Sequence, residues 1–400
     1  MKLLPLIAAT YFMVSGGPYG LEDIIGKAGY GRALLLLLFI PLIWSLPTSL
    51  MVGELASALP EEGGYYCWVR RALGTFWGFQ EAWLSLAASV FDMAIYPVLF
   101  VLYLGRIEPL WTAGYRGTLW ALAVVLLCAL WNLRGAAVVG EGSVALFVLL
   151  LSPFIVLVVV SVYKSLSHAH LGIASMAAPT TGYDLAGAIS VALWNYMGWD
   201  NASTVAQEVE HPQRNYPRAM LIAAALVAVT YIVPLLAVAL AGIPAAQFST
   251  GAWTDAAHQI AGPALALAVV LGGTINGFGM FNALMLSYTR IPYALAREGL
   301  LPKVVALKSA QGVPGSASCS APSPGRSRST SPLSASSPST SSSTEPPCSW
   351  SSSPSSSYAF ASLASTAPSA SPAEQPEPSP LESDPRSSFC SPSTPPEQNE

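Results

Sequence analysis

The sequence predicts an all-α polytopic membrane protein in which two spans, the first and the sixth, are broken part-way across. Three observations carry this. Apolar runs of about 20 residues recur as far as about residue 308, the length at which a helix crosses a hydrocarbon core of ~30 Å. Only 10% of the chain is charged against 52% hydrophobic, although its last part is polar. Residues 191–210, VALWNYMGWDNASTVAQEVE, open as an apolar helix and turn polar halfway along.

A bilayer core offers an unpaired polar group nothing to bond with. Asn195, Gly198, Asp200 and Asn201 must therefore face protein or a water-filled cavity. The amino terminus repeats the interruption. Residues 3–15 form an apolar half-span, Gly16-Gly17-Pro18-Tyr19-Gly20 cannot stay regular helix, and the chain resumes with Leu21, Glu22 and Asp23. Two broken spans at matching positions in successive halves mark a carrier with inverted repeats and a solute site near the midplane.

In chain order, eight apolar segments fall at 3–26, 33–59, 76–104, 118–139, 143–163, 185–207, 219–241 and 263–288. The first lacks a cleavage pattern and reads as a retained span, not a signal peptide. Lys and Arg set the orientation. With the amino terminus in the cytoplasm, Arg70, Arg71, Arg134, Arg214, Arg218, Arg290, Arg297, Lys303 and Lys308 lie inside, and only Lys27, Arg32, Arg106, Arg116 and Lys164 outside. In span three, Glu81, Ser85, Ser89, Asp92 and Tyr96 step by four, four, three and four, one helix face that should look into the bundle. Span eight carries Gly272-Gly273-Thr274, Asn276-Gly277 and Asn282, which suit close helix packing as well as a polar site. Trp44, Trp68 and Trp120 fit an aromatic belt, and Glu54 a structural place in the loop after span two.

Other functions are disfavoured. A net charge of -4 with no basic arm argues against nucleic acid. The five cysteines have no metal-ligand spacing and imply no disulfide framework. All four histidines, His168, His170, His211 and His258, are predicted in loops, so an intramembrane enzyme lacks a nucleophile–base pair or metal triad. No cofactor or metal is expected, and without a P-loop primary pumping is disfavoured.

The composition changes after Gly312-Val313-Pro314, dividing the chain into a membrane domain, 1–310, and a Ser/Pro-rich tail, 311–400, expected to be disordered. The tail begins where another span is due. In a GC-rich gene the leucine codon CTC read one nucleotide late becomes TCC, serine. A leucine-rich helix translated out of frame would thus give such a string, and the neighbouring frame of the gene decides the matter.

The stretches SGGPYGLEDIIGKAG, FIPLIWSLPTSLMVGELASALPEEGGYYCWVRRALG, FWGFQEAW, FDMAIYPVLF, WNYMGWDNASTVAQEVEHPQRNYP and SYTRIPYALAREGLLP together resemble the amino acid–polyamine–organocation superfamily, most of all its polyamine uptake branch. The match runs in register from residue 3 to about 314. The resemblance implies a five-plus-five inverted-repeat (LeuT-like) bundle, usually of twelve spans. Counterparts of spans nine to twelve do not appear, which would leave the second repeat incomplete. In amino-acid carriers of the superfamily the first break binds the substrate carboxylate, a role that would fall to Ser15, Gly16, Gly17 and Gly20. The resemblance also puts substrate contact in the break of span six, at Asn195, Trp199 and Asp200, and an Asp beside the Trp is usual in the polyamine branch.

The residue chemistry points the same way. Asp200, with Asp92 beside Tyr96 in span three, suits a solute carrying two or more ammonium groups and no carboxylate, such as putrescine or spermidine. Trp194, Tyr196 and Trp199 could sandwich its alkyl chain. Asp200 could instead cap the freed backbone of span six, Asp92 could pair with another helix, and Glu22 and Asp23 could be solvated charges. Glu22, Asp92 and Asp200 are the proton-coupling candidates. The expected function is secondary, proton-coupled uptake of a cationic solute across the plasma membrane, by a multi-pass protein with a cytoplasmic amino terminus. The partners are then the small-molecule substrate, a coupling ion and membrane lipid. A neutral or cationic amino acid permease or exchanger is the alternative, sodium the other coupling ion, and an inactive truncated remnant the non-transport reading.

Overall fold

A computed structural model describes residues 1–167 and 184–306. The expected tail, together with His168 and His170, lies outside the described residues. Among the described residues every regular element is helical. Six helices among the described residues are long and apolar enough to cross a membrane: Glu22–Ala58, Thr75–Ile107, Tyr115–Asn132, Ala136–Ser167, Pro212–Leu240 and Pro263–Arg297. The two other expected spans, one and six, are those the sequence marks as broken.

Span one begins with Leu3–Val14, only 12 residues long, and re-enters helix at Glu22. Gly29, at φ 74° and ψ 166°, then turns the chain from the second half of span one into span two. Span two continues through a π-helical turn at Pro41–Ser45 and on through Leu46–Ala58. The wider turn accommodates Pro41, which brings no N–H to the ladder. Span three, Thr75–Ile107, runs 33 residues. At 1.5 Å per residue that is about 50 Å, so it must cross at a tilt or project beyond the core.

The break between spans four and five lies earlier than expected. Residues 118–139 were expected to form one span, but the helix ends at Asn132, Gly135 turns at φ 100°, and Ala136–Val139 open the next helix. Apolarity continues across this turn, so hydropathy alone could not locate it. His258 falls in the helix Ala252–Ala261, not in a loop. Trp44 and Trp120 are exposed as a belt requires, whereas Trp68 is buried and its indole N–H donates to the Leu59 carbonyl at 3.3 Å.

Apolar side chains also cover much of the outside, among them Ile43, Val90, Phe91 and Val159. That arrangement suits lipid, which accepts side chains that water would not. Inside, span eight approaches its neighbours closely through glycine. A Cβ on Gly273 would overlap the Tyr103 ring, one on Gly277 the backbone at Tyr96 and Phe100, and one on Gly279 the Phe12 ring. Small residues allow the dispersion contacts that hold helices together where no water is expelled.

Charged groups gather at opposite ends. At one end Met1 N donates to the Glu208 carbonyl, the Glu208 carboxylate pairs with Arg290, and Arg70 and Tyr66 share Glu298. At the other, Arg106 pairs with Asp255 at 3.3 Å and Trp253 Nε1 donates to Pro18 O at 2.7 Å. Arg290, counted above among the charges on the cytoplasmic side, is fully buried in its ion pair.

Candidate functional site

The site forms where two helices stop. Leu3–Val14 ends at Ser15, whose backbone is extended and whose N–H bonds back to Tyr11 O at 2.6 Å. The Gly17 N–H then turns to Ser15 Oγ at 3.0 Å, a side-chain substitute for the helical bond that Pro18 and the glycines prevent. Leu185–Asn195 ends at Tyr196, and Gly198 adopts φ 98°, where a side chain is strained. A tight 3-10 coil, Trp199–Glu208, carries the chain onward.

The two breaks pack on each other. A Cβ on Gly198 would overlap the Met13 carbonyl oxygen. Asn195 Nδ2 donates to Val191 O at 2.9 Å and to Gly20 O at 3.4 Å, while Tyr231 OH donates to Asn195 O at 2.8 Å. Freed backbone groups at one break are thus partly satisfied from the other, as the hydrocarbon region demands.

Between the breaks lies a cavity of ≈ 370 Å³. Break one lines it with Gly16, Tyr19 and Gly20, and span three with Ser85, Asp92 and Tyr96. Break six contributes Trp194, Asn195, Asp200 and Asn201, and span eight Asn276, Met280 and Tyr288. Tyr65, from the helix Tyr65–Leu73, completes the wall. Tyr96 OH donates to Asp92 Oδ1 at 2.9 Å and Tyr288 OH to Asp92 Oδ2 at 3.4 Å. Asp200 lines the cavity from the first turn of the 3-10 coil. An ionised carboxylate at that position offers about four lone-pair sites to a cation. Carboxylates, phenols and amides over apolar walls such as Leu99 and Met280 make an electronegative pocket with room for an alkyl chain.

Of the residues expected from the sequence, Gly16, Gly20, Asp92, Tyr96, Asn195 and Asp200 line this cavity, and Ser15, Gly17, Trp199 and Glu22 do not. Trp199 is fully buried, with its indole N–H donating to Tyr196 O at 2.9 Å, so it props the break from behind. Tyr196 is likewise turned away, bonding Leu37 O at 2.8 Å, and Trp194 holds the aromatic position beside the cavity. Glu22 is buried rather than solvated. It accepts from Gly20 N at 2.6 Å, Tyr103 OH at 3.1 Å and Gly251 N at 3.3 Å, tying break one to span three and to the segment before span eight. Asp23 accepts from Thr250 Oγ1 at 3.4 Å. On span three, Glu81 accepts from Ser85 at 2.8 Å and Ser89 turns back to Leu86 O, so the polar face only partly reaches the cavity. Sequence reasoning missed Tyr65 and Tyr288, which come from helices outside the breaks and carry no local signal.

The family profile described as amino acid permease matches residues 7–318. The chain belongs to the amino acid permease family. Among named members, it is 35% identical over 319 residues to "Polyamine transporter PUT1" of Oryza sativa subsp. japonica, covering 78% of this chain and 58% of that protein. It is 33% identical to "Polyamine transporter RMV1" of Arabidopsis thaliana over 314 residues, 77% of this chain and 63% of the relative. "Serine/threonine exchanger SteT" of Bacillus subtilis (strain 168) is 24% identical, covering 74% of this chain and 66% of that one. This permease-family chain therefore spans about three fifths of the length of its polyamine-transporter relatives. Among solved structures, MhsT in complex with L-phenylalanine superposes with a TM-score of 0.54 at 17% identity, covering 74% of each chain, a likeness of fold.

Proposed function

We propose that this chain carries the solute site of a secondary active transporter that takes up a small organic dication or polycation, such as putrescine or spermidine, coupled to protons. The observation that carries the reading is the pair of carboxylates, Asp92 and Asp200, lining one cavity between two helix breaks. An ammonium about 4 Å from a carboxylate gains about 4 kcal/mol at an effective dielectric near 20, which offsets part of the solute's lost hydration. Two such contacts favour a diamine over a solute bearing a carboxylate of its own. The polyamine transporters among the relatives support the same substrate class.

The proposed architecture is a five-plus-five inverted repeat in the plasma membrane, amino terminus cytoplasmic. The separation of Arg70 and Arg290 from Arg106 at opposite ends agrees with the positive-inside expectation. Glu22, buried beside break one, is the proposed proton-coupling group. The chain is proposed to be a carrier and not an enzyme.

A second reading, an amino acid permease or exchanger, draws on the exchanger among the relatives and on Gly16 and Gly20 at the cavity wall. Free N–H groups of a broken helix would there receive a carboxylate. Uptake of labelled putrescine and labelled serine into proteoliposomes separates the two. Putrescine accumulation that falls at least tenfold in Asp200→Asn supports the first reading. Serine accumulation without putrescine supports the second, and no accumulation of either favours an inactive remnant.

A further inference from the structure

We propose that Asn276 of span eight is a solute-contacting residue that sets how many positive charges the cavity prefers. The inference rests on reading the cavity as the solute site. Asn276 lines the cavity, is only 2% exposed, and its Oδ1 has no hydrogen-bond partner among the described residues. Buried side-chain oxygens without partners are rare, because leaving one unmet forfeits its hydration without return. A ligand that supplies the missing bond removes that penalty.

The amide is also held in place. It lies directly against Gly16 of break one, where an added Cβ would overlap Oδ1, Cγ and Nδ2 alike. Glycine at 16 therefore serves a second purpose besides ending the helix: it makes room for the amide. The side chain lines the same space as the carboxylates of Asp92 and Asp200.

Asn276 is uncharged but strongly polar. It offers one carbonyl acceptor and two N–H donors, enough to complete the shell of an ammonium or a carboxylate without adding net charge. The cavity then holds two fixed negative charges rather than three, a count suited to a dication. An acid at position 276 would shift the balance toward solutes with three ammonium groups.

The test uses the purified full chain in lipid nanodiscs, titrated separately with putrescine, spermidine and L-serine. Asn276→Leu keeps the volume and removes the polar atoms. It should weaken whichever probe the wild type binds by tenfold or more, with thermal unfolding still cooperative. Asn276→Ser, smaller and too short to reach, gives the same readout should the leucine variant not fold. If putrescine binds, Asn276→Asp should raise the spermidine-to-putrescine affinity ratio at least tenfold. Binding of all probes by Asn276→Leu or Asn276→Ser as by wild type, or an unchanged ratio in Asn276→Asp, overturns the assignment and leaves the diamine reading standing. Wild-type binding of serine alone, lost in Asn276→Leu, overturns the diamine reading and keeps Asn276. A wild type that binds no probe overturns both.

Discussion

Gly198 offers a direct measure of how tightly the two broken spans are packed. Replacing it with alanine adds a methyl group at φ 98°, where left-handed backbone costs an L residue about 1–2 kcal/mol. The same methyl would fall on the Met13 carbonyl oxygen. Met13 belongs to the last turn of Leu3–Val14, so its backbone cannot rotate away as a side chain could, and overpacking of this kind costs about 1–3 kcal/mol. The expected loss is therefore about 2–5 kcal/mol. Gly242 is the control: it has φ 77° after the helix Pro212–Leu240, and none of the described residues lies within 4 Å of a Cβ built there. Gly242→Ala should cost only the backbone share, about 1–2 kcal/mol. Unfolding in mixed detergent–SDS micelles, followed by tryptophan fluorescence, gives both numbers. Equal losses in the two variants would refute the claim that break six rests on break one.

Four further expectations follow from charged and buried groups. Arg290→Ala removes a fully buried guanidinium from Glu208, whose side chain is 36% exposed, and should cost about 3 kcal/mol, the low end for breaking a buried pair. Arg106→Ala, which breaks an exposed pair with Asp255, should cost about 0–1 kcal/mol in the same unfolding assay. Burial pushes the Cys67 thiol, in the helix Tyr65–Leu73, up to about 12. Its neutral form is favoured by folding, so this contribution to stability is fully present below about pH 9 and is lost as pH rises toward 12. In a variant with Cys128, Cys319, Cys348 and Cys390 replaced, maleimide labelling of native protein at pH 8 should be at least ~10-fold slower than labelling of the denatured protein at the same pH. Native labelling as fast as that of the denatured protein would contradict the burial. Finally, Glu22→Gln should abolish putrescine uptake driven by a pH gradient while leaving counterflow exchange intact. Retained gradient-driven uptake would remove Glu22 from proton coupling.

The breaks were readable because glycine and proline leave a mark no tertiary contact erases: Gly16-Gly17-Pro18 and Gly198 sit where the helices end. Asp92 and Tyr96 were readable for a similar local reason. They are four residues apart on one helix, and the phenol indeed reaches the carboxylate. Trp199 misled because a tryptophan inside a break looks like a solute platform, whereas its N–H is taken up by Tyr196 O three residues back. Glu22 looked like a surface charge because its three donors come from Gly20, Tyr103 and Gly251, two of them remote in sequence. Asn276 could be read from the sequence as helix packing or as part of a polar site, because the glycines around it do pack. Only the juxtaposition with Gly16, across most of the chain, separates its role from theirs.

The central claim is that two carboxylates, on span three and in the sixth break, receive two ammonium groups of one solute. Titration calorimetry of the full chain with putrescine and with 1-aminobutane, a chain of the same length carrying one amine, tests it most directly. A charge-assisted hydrogen bond is worth about 1.5–3 kcal/mol, so putrescine should bind at least ~10-fold more tightly, and Asp92→Asn or Asp200→Asn should each bring the two ligands close to parity. Equal affinities in the wild type, or a diamine preference that survives both substitutions, would contradict the account.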